Sequence, residues 1–180
     1  MRIAAARFRQ AGIGGLSVAD LMKEAGLTHG GFYRHFESRD DLVAEAIAHA
    51  LDEGDDRIGI EPRPAEDEVT LSRWVDAYLA EAHRDAPAEG CAVAALAGDV
   101  ARSHARTRTA FSLRTKKALL RMADVLPGGP KQRAHAILIW CALVGALTLA
   151  RAVNDKKLSS EILDTVRGEL KSLFAAKRRK

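Results

Sequence analysis

A short segment in the first quarter of the chain carries side chains that suit a polyanion. Tyr33, Arg34 and His35 stand in a row, and each carries an O–H or N–H donor for a phosphate oxygen, while an arginine also reaches the edge of guanine. Gly30 and Gly31 precede them, although a glycine costs a helix about 1 kcal/mol relative to alanine. A bare backbone allows close approach to a base edge or a phosphate. The composition predicts a short helix that presses against a second polymer.

Two short helices joined by a tight turn would position these donors. Ser17 is a good N-cap, and Asp20 is its reciprocal partner three residues later. Gly26 falls where a helix needs a left-handed residue after its C-cap, and Thr28 is placed to cap the next helix, expected at 29–35. Two helices joined in this way, with the second exposed, indicate a helix-turn-helix.

A further helix should follow at once and complete a three-helix head. Ser38 can cap it, and its apolar stripe recurs every three or four residues as far as Leu51. Phe32 and Phe36 lie four residues apart and are expected in the core. Arg39, in the first turn of this helix, opposes the helix dipole, which favours a position facing an anion.

The segment AGLTHGGFYRHFESRDDL, with AAARFRQAGIGGLSVADLMKEAG before it, resembles the DNA-binding signature of the TetR/AcrR family of bacterial transcriptional regulators. The resemblance implies a dimeric repressor with an N-terminal DNA-binding head and an all-helical ligand-binding body. Carried over by position, it assigns bases or groove to Thr28, Gly30, Gly31 and Arg34, and phosphates to Tyr33, His35 and Arg39. Family members usually carry a basic arm before the first helix. Here the candidates to replace part of its charge are Arg2, Arg7 and Arg9.

Composition favours an all-α fold, and the length of the chain suits one or two small domains. The chain has 180 residues, 47% of them hydrophobic but only 5% aromatic, and runs of β-branched residues are rare. We expect a helix-turn-helix DNA-binding domain at 1–50 and a helical ligand-binding and dimerisation domain at 51–180.

Cys91 and Cys141 make no disulfide framework and suit a reducing cytoplasm. No signal peptide is visible at the N-terminus. The apolar run 136–150 is short for a membrane span, so no membrane partner is expected.

Charge is distributed unevenly along the chain. Residues 1–50 carry six basic and six acidic side chains, so the arginines of the head must act by position rather than by bulk charge. Residues 101–135 carry nine basic side chains and one acidic side chain. We interpret that stretch as a solvated helix face rather than as a polyanion-binding surface.

The body should consist of helices that end in two apolar ones. Turn residues at 87–90 and 127–130 separate helical patterns at about 71–82, 92–102, 107–126, 131–153 and 159–175. The last two present more apolar surface than one small body covers, which predicts a four-helix dimer contact. The candidate pocket residues are large or soft side chains at helical spacing, and few charges lie near them, which favours an apolar or aromatic ligand. They are Trp74, Tyr78, Cys91, Phe111, Met122 and Trp140.

Other classes of function are open at this point. Cys91 with His83 or His104 could be a nucleophile and its base, but no third orienting group is identifiable. The same residues with Asp85 could hold a metal, but their spacing matches no zinc pattern. A non-specific DNA-coating protein would need no specified turn. Cys91 is either a small packing residue or a thiol that senses electrophiles. The sensor role is implied by the resemblance to one branch of the family, and the position of Cys91 at a helix start is compatible with it. Cys141 lies within the apolar run and is expected to be inert.

The sequence as a whole predicts a ligand-responsive transcriptional regulator rather than an enzyme. It would bind double-stranded DNA at an inverted repeat as a homodimer and be released by a small apolar or electrophilic effector. No cofactor and no metal are expected.

Overall fold

The computed structural model describes residues 1–57 and 71–175, which form helices and, within those ranges, no strand. The all-α prediction is confirmed. The helices are α1 (Arg2–Ala11), α2 (Val18–Glu24), α3 (His29–Phe32), α4 (Arg39–Arg57), α5 (Leu71–Tyr78), α6 (Glu81–Asp85), α7 (Ala92–Ala101), α8 (Ala105–Asp124), α9 (Gln132–Ala152) and α10 (Lys156–Ala175), with a 3₁₀ turn at Pro87–Glu89.

The breaks between the body helices fall where proline and glycine predicted them. The 3₁₀ turn at Pro87–Glu89 precedes α7, and the Pro-Gly-Gly-Pro stretch separates α8 from α9. In that stretch Gly129 has a φ of 134°, a conformation that side-chain-bearing residues rarely adopt. Gln132 then closes the turn, since its side-chain amide donates to the Ala123 carbonyl at 2.9 Å.

The chain divides into two compact units. One comprises Met1–Gly54 with Pro87–Thr115, and the other comprises Asp55–Ala86 with Lys116–Lys180. The unit that holds the predicted head therefore also contains the 3₁₀ turn, α7 and the first half of α8. The functional division at residue 50 stays a prediction.

The first unit has an apolar core and a buried arginine. Phe8, Leu42, Ile47 and Leu96 are almost fully buried. Arg9 is only 3% exposed. Its guanidinium donates to the Ala88 carbonyl at 2.7 Å and the Ala50 carbonyl at 3.3 Å, and meets Glu53 Oε2 at 3.4 Å.

Arg9 therefore does not belong to a DNA-facing arm, and that expectation is wrong for it. It lies four residues after the fully buried Ala5, on the inward face of α1, and its three partners hold it there. Arg2 is exposed, whereas Arg7 is paired with Glu24 at 3.1 Å.

The second unit is organised around α9. This helix packs on α10 and α6, and α10 also packs on α5. Arg151, near the end of α9, donates to the carbonyls of His83 at 2.6 Å and Arg84 at 3.0 Å. Ser159 Oγ donates to the Ala150 carbonyl at 2.6 Å and closes the turn into α10. These bonds satisfy carbonyl groups at helix ends.

One face of α9 is core and the other is exposed but almost as apolar. The inward face carries Ile139, Leu143 and Leu147, all fully buried. The outward face carries Leu138 and Leu149, which are 55% and 57% exposed. Among the described helices, α9 alone has the length and composition to cross a membrane. Core helices of water-soluble proteins share both properties, so this is weak evidence for a span.

Candidate DNA-binding site

The start of α2 and the turn after its end are both specified by local hydrogen bonds, as the sequence predicted. The Asp20 amide donates to Ser17 Oγ at 3.1 Å, and the Ser17 amide donates to Asp20 Oδ2 at 3.3 Å. The hydrogen bonds from Ser17 lower the pKa of the Asp20 carboxyl. Gly26 has a φ of 68° and donates to the Lys23 carbonyl at 3.2 Å. These bonds fix the direction in which the chain enters α3.

The second helix of the helix-turn-helix, α3, is shorter than predicted. Thr28 caps it by accepting a hydrogen bond from the Gly31 amide at 3.2 Å. The helix ends at Phe32, and the chain continues as a turn in which the His35 amide donates to the Phe32 carbonyl at 3.0 Å. Two glycines in a four-residue helix explain the early end, because glycine has low helix propensity.

Phe32 anchors this turn in the core, and the three donor side chains that follow Phe32 are exposed. Phe32 is 2% exposed, and its ring lies 5.0 Å from the Tyr33 ring, edge to face, and 5.5 Å from the Phe36 ring. Phe36 is half-buried rather than a full core residue. Tyr33 is 67% exposed, and Arg34 and His35 are exposed as well. The structure therefore brings these three donors together on one exposed turn.

Gly31 is a glycine that the fold of the chain does not require. A Cβ added there would lie 3.5 Å from Thr28 Oγ1, an ordinary van der Waals contact. Its φ also lies outside the left-handed region that favours glycine. The fold of the chain could therefore accommodate a side chain at position 31. If a side chain is excluded there, a molecule bound to α3 must exclude it. The side chains of His29 and Gly30 lie outside the described set.

Arg39 has partners within the head. Its Nη2 donates to the Ile13 carbonyl at 2.6 Å and to the Leu16 carbonyl at 3.3 Å. Within the head, Arg39 thus meets two neutral carbonyl oxygens of the loop between α1 and α2. The residue is nonetheless exposed, and its assignment to a phosphate stays a prediction.

A set of polar contacts joins α4 to the start of α8, both within the first unit. Asp40 Oδ2 lies 2.9 Å from His104 Nε2, and Asp41 is paired with Arg106. Nothing in the sequence marks these partners, since they are more than 60 residues apart. They place basic groups beside the acidic first turn of α4.

Asp99 on α7 is a second residue that the sequence did not single out. Its Oδ2 accepts a hydrogen bond from the Ile13 amide at 2.9 Å. A Cβ on Gly12, whose φ is 75°, would lie 2.9 Å from the same oxygen. Gly12 is therefore required both by its conformation and by the close approach of Asp99.

The candidate pocket residues are divided between the two units. Trp74, Tyr78, Met122 and Trp140 lie in the second unit and are buried, with the Tyr78 ring 5.8 Å from the Trp140 ring. Cys91 and Phe111 lie in the first unit.

Cys91 is buried and serves as the N-cap of α7, whereas Phe111 is half-buried. The start-of-helix position that was expected for Cys91 is therefore observed, while its sensor role stays a prediction. Cys141 is exposed in the protomer, on the outward face of α9.

His83 lies beside this aromatic group. Its Nδ1 is 2.7 Å from the Tyr78 carbonyl oxygen, and its ring meets the Tyr78 ring edge to face at 4.9 Å. Because a carbonyl only accepts, Nδ1 carries the proton. Burial lowers the pKa of His83; the hydrogen bond to Tyr78 opposes this, and the charge of Arg151 adds to it.

The residues considered as a metal set have other partners. His83 bonds to the Tyr78 carbonyl, and His104 pairs with Asp40. Within residues 1–57 and 71–175, no three His, Cys, Asp or Glu side chains are grouped as a metal ion would require.

Comparisons with known proteins agree with the helix-turn-helix geometry. Residues 2–46 match the family model of bacterial regulatory proteins of the tetR family. A comparison with curated protein sequences gives no match.

Solved structures share the fold along nearly the whole chain. The reduced form of Escherichia coli NemR superposes with a TM-score of 0.74 at 16% identity and covers 95% of this chain and 94% of that chain. A TetR-family regulator from Agrobacterium tumefaciens gives 0.71 at 19% identity, with 92% of each chain covered. A TetR-family regulator from Cytophaga hutchinsonii gives 0.75 at 16% identity, with 94% and 90% covered.

Residues 2–46 match the N-terminal domain of the tetR family of bacterial regulatory proteins. Along nearly its whole length the chain has the fold of the solved TetR-family regulators.

Proposed function

We propose that this protein is a ligand-responsive transcriptional repressor. It binds an inverted-repeat operator as a homodimer in the cytoplasm, and a small apolar or electrophilic effector releases it. The observation that carries the proposal is the exposed turn after Phe32, where three donor side chains follow a glycine that the fold does not require.

The residues of the head are assigned two kinds of contact with DNA. Thr28, Gly30, Gly31 and Arg34 face the bases or the groove, since a short capped helix can enter a major groove with its first turn leading. Tyr33, His35 and Arg39 hold phosphates. Phosphate contacts fix register, and Arg34 carries sequence preference through a guanine edge.

Dimerisation through α9 and α10 would present two copies of this surface. The outward face of α9 carries Ile137, Leu138 and Leu149, each more than 40% exposed in the protomer. Gly145 lies on the same face, and a Cβ added there would meet nothing within 4 Å. Leu158 and Leu173 continue the exposed apolar surface on α10. A face of this kind is covered by a second copy in a symmetric dimer.

A route from the body to the head is built into the first unit. Arg9, Asp99 and the pair of Asp41 with Arg106 connect α1 and α4 to the 3₁₀ turn, α7 and the start of α8. An effector that displaces α7 or α8 would move the head through these contacts, because a ligand shifts a population only by contacting its states differently.

The test is selection of DNA by the purified full-length protein, followed by affinity measurements. We expect a two-fold-symmetric selected site that binds about a thousandfold more tightly than a scrambled duplex of equal length. Affinity should fall steeply as salt rises. Equal affinity for the two duplexes would contradict the proposal. Repression is tested by transcription in vitro from a promoter that overlaps the selected site, where added protein should lower the transcript.

The type of effector is tested at Cys91. If the effector is an electrophile that reacts there, it should release wild-type protein from the operator but not Cys91→Ser. Equal release of both proteins would assign Cys91 to packing and leave a reversible apolar ligand. The burial of Cys91 favours the second result, because a shielded thiol reacts slowly.

A further inference from the structure

We propose that the body binds an apolar ligand that carries a neutral hydrogen-bond acceptor, and that the indole N–H groups of Trp74 and Trp140 donate to it. The inference rests on the proposed ligand-responsive function and adds the chemical class of the ligand.

The two indoles are buried donors without acceptors. Trp74 is 4% exposed and Trp140 is 6% exposed. Neither Nε1 atom has a hydrogen-bond partner among the residues that the structure describes. A buried tryptophan normally finds an acceptor for its N–H, because an unsatisfied buried donor costs free energy. Such a donor is explained when it serves a group from outside the chain.

Both donors flank one buried tyrosine. Trp74 precedes Tyr78 by four residues on α5, so the two side chains share a face of that helix. On the other side, the Tyr78 ring lies 5.8 Å from the Trp140 ring of α9, at an interplanar angle of 64°. The two indole donors, which have no acceptor among the described residues, therefore lie in one unit, one on the same helix face as Tyr78 and the other in ring contact with it. Buried aromatic rings with a few polar groups are the composition of a site for a planar or apolar ligand.

The surroundings favour a neutral acceptor over an anion. Burial lowers the pKa of His83 beside Tyr78, so this imidazole is neutral at pH 7. The Arg151 guanidinium is already bonded to two backbone carbonyls. A carboxylate bound at the indoles would be a buried charge, which is far more costly than a buried carbonyl oxygen with a donor. A ketone, ester or amide oxygen on an apolar skeleton fits best.

The chain offers a direct readout, because it has two tryptophans and both are the residues in question. In ¹⁵N-labelled full-length protein, each gives one indole ¹H–¹⁵N signal. The probes are two matched pairs, benzophenone with diphenylmethane and acetophenone with ethylbenzene. We expect each ketone to move at least one indole proton downfield and to bind about tenfold more tightly than its hydrocarbon. Equal binding within both pairs, or no ketone-induced indole shift, would overturn the inference.

Variants separate the N–H from the ring. Trp74→Phe and Trp140→Phe keep an aromatic side chain and remove the donor, so the preference for ketone over hydrocarbon should disappear while hydrocarbon affinity changes little. If either variant fails to fold, replacement of the tryptophan by 3-benzothienylalanine keeps the bicyclic shape without the N–H. A ketone preference that survives in both substituted proteins also overturns the inference.

Operator binding is measured on the same samples. Specific DNA binding with no ketone preference would overturn the ligand inference alone. If the wild-type protein showed no specific DNA binding, the proposed function would be overturned. The indole shifts would still report on the ligand site.

Discussion

Gly31 lies in the first turn of α3, where its amide donates to Thr28 Oγ1 and an added methyl group would meet the chain only at 3.5 Å. Glycine lowers helix stability, so its presence here is costly for the isolated protein. The compensating reason is the close approach of a DNA groove or backbone in the proposed complex.

We predict that Gly31→Ala separates stability from binding. The free energy of unfolding should stay the same or rise by up to about 1 kcal/mol, because alanine is the better helix former. Operator affinity should fall by about tenfold or more, since the methyl group occupies the approach. Gly98→Ala is the matched control, because Gly98 lies on α7 with nothing within 4 Å of an added Cβ. Urea unfolding and DNA titration give the two quantities. Unchanged operator affinity in Gly31→Ala would remove the groove assignment.

Arg34 and Arg39 of the head differ in the contacts that they make within the protein. Arg34 is exposed on the turn after Phe32, whereas Arg39 donates to two carbonyls of the loop between α1 and α2. We predict that Arg39→Ala lowers the free energy of unfolding by about 1 kcal/mol, because two acceptors lose their donor. Arg34→Ala should leave stability within about 0.5 kcal/mol of wild type.

Both variants are followed by urea unfolding and by DNA titration at a temperature where each is folded. Under the proposed roles both lose affinity, Arg39→Ala for all sequences alike and Arg34→Ala mainly at one position per half-site. Wild-type stability in Arg39→Ala would show that its carbonyl contacts contribute nothing.

At the scale of elements, the junction of α5 and α6 is held by His83. Its protonated Nδ1 donates to the Tyr78 carbonyl, and Arg151 of α9 bonds to the carbonyls of His83 and Arg84. The junction thus combines a buried neutral imidazole with a nearby fixed positive charge, and protonation of the ring is disfavoured.

We predict a pH dependence of stability from this junction. The pKa of His83 is lower in the folded protein than the value near 6.5 of an unfolded chain. Between those two values the unfolded state binds more protons, so stability falls as pH is lowered from about 6.5 to the folded pKa. His83→Gln should flatten this slope, as measured by urea unfolding between pH 7.5 and 5. His35→Gln, at an exposed histidine, should retain it. An equally steep slope in His83→Gln would assign the effect to other groups.

At the scale of the whole molecule, the outward face of α9 is an apolar surface that the protomer leaves exposed. Its residues are apolar or small, and Gly145 leaves open space on it. The inward face of the same helix already fills the core of its own unit. A second copy is the partner that a symmetric dimer supplies.

We predict that Gly145→Glu prevents dimerisation, because the dimer would bury a carboxylate without a partner at a cost of several kcal/mol. Sedimentation should show a monomer or loss of solubility. Gly98→Glu is the matched control, since Gly98 is an exposed glycine of α7, outside the proposed interface, that also has nothing within 4 Å of an added Cβ.

Cys141 gives a second measurement, because it lies exposed on the same face of α9 in the protomer. Its thiol should react slowly with a maleimide in the wild-type dimer and rapidly in monomeric Gly145→Glu. A fully dimeric Gly145→Glu with a protected Cys141 would place the interface elsewhere.

Local signals in the sequence were sufficient for the helices and for the helix-turn-helix. The Ser17–Asp20 capping box, the left-handed Gly26 and the Pro-Gly-Gly-Pro turn act within a few residues, so their outcome depends little on the rest of the chain. The early end of α3 is the exception, because two glycines weaken a helix that the pattern alone extends to His35.

Tertiary structure decided which polar groups meet. The sequence predicts a DNA-facing Arg9, yet its side chain is buried against Ala88, because carbonyl groups distant in sequence come within reach only after packing. Arg39 bonds to two carbonyl groups of the loop between α1 and α2 for the same reason, while its side chain stays exposed. The partnership of Asp99 with the Ile13 amide arises in the same way. The helices and the helix-turn-helix were predictable without the fold, since caps, turns and periodicity are local. The unsatisfied indoles and the open face of α9 became visible only in the fold, because burial and hydrogen bonding are properties of the assembled chain.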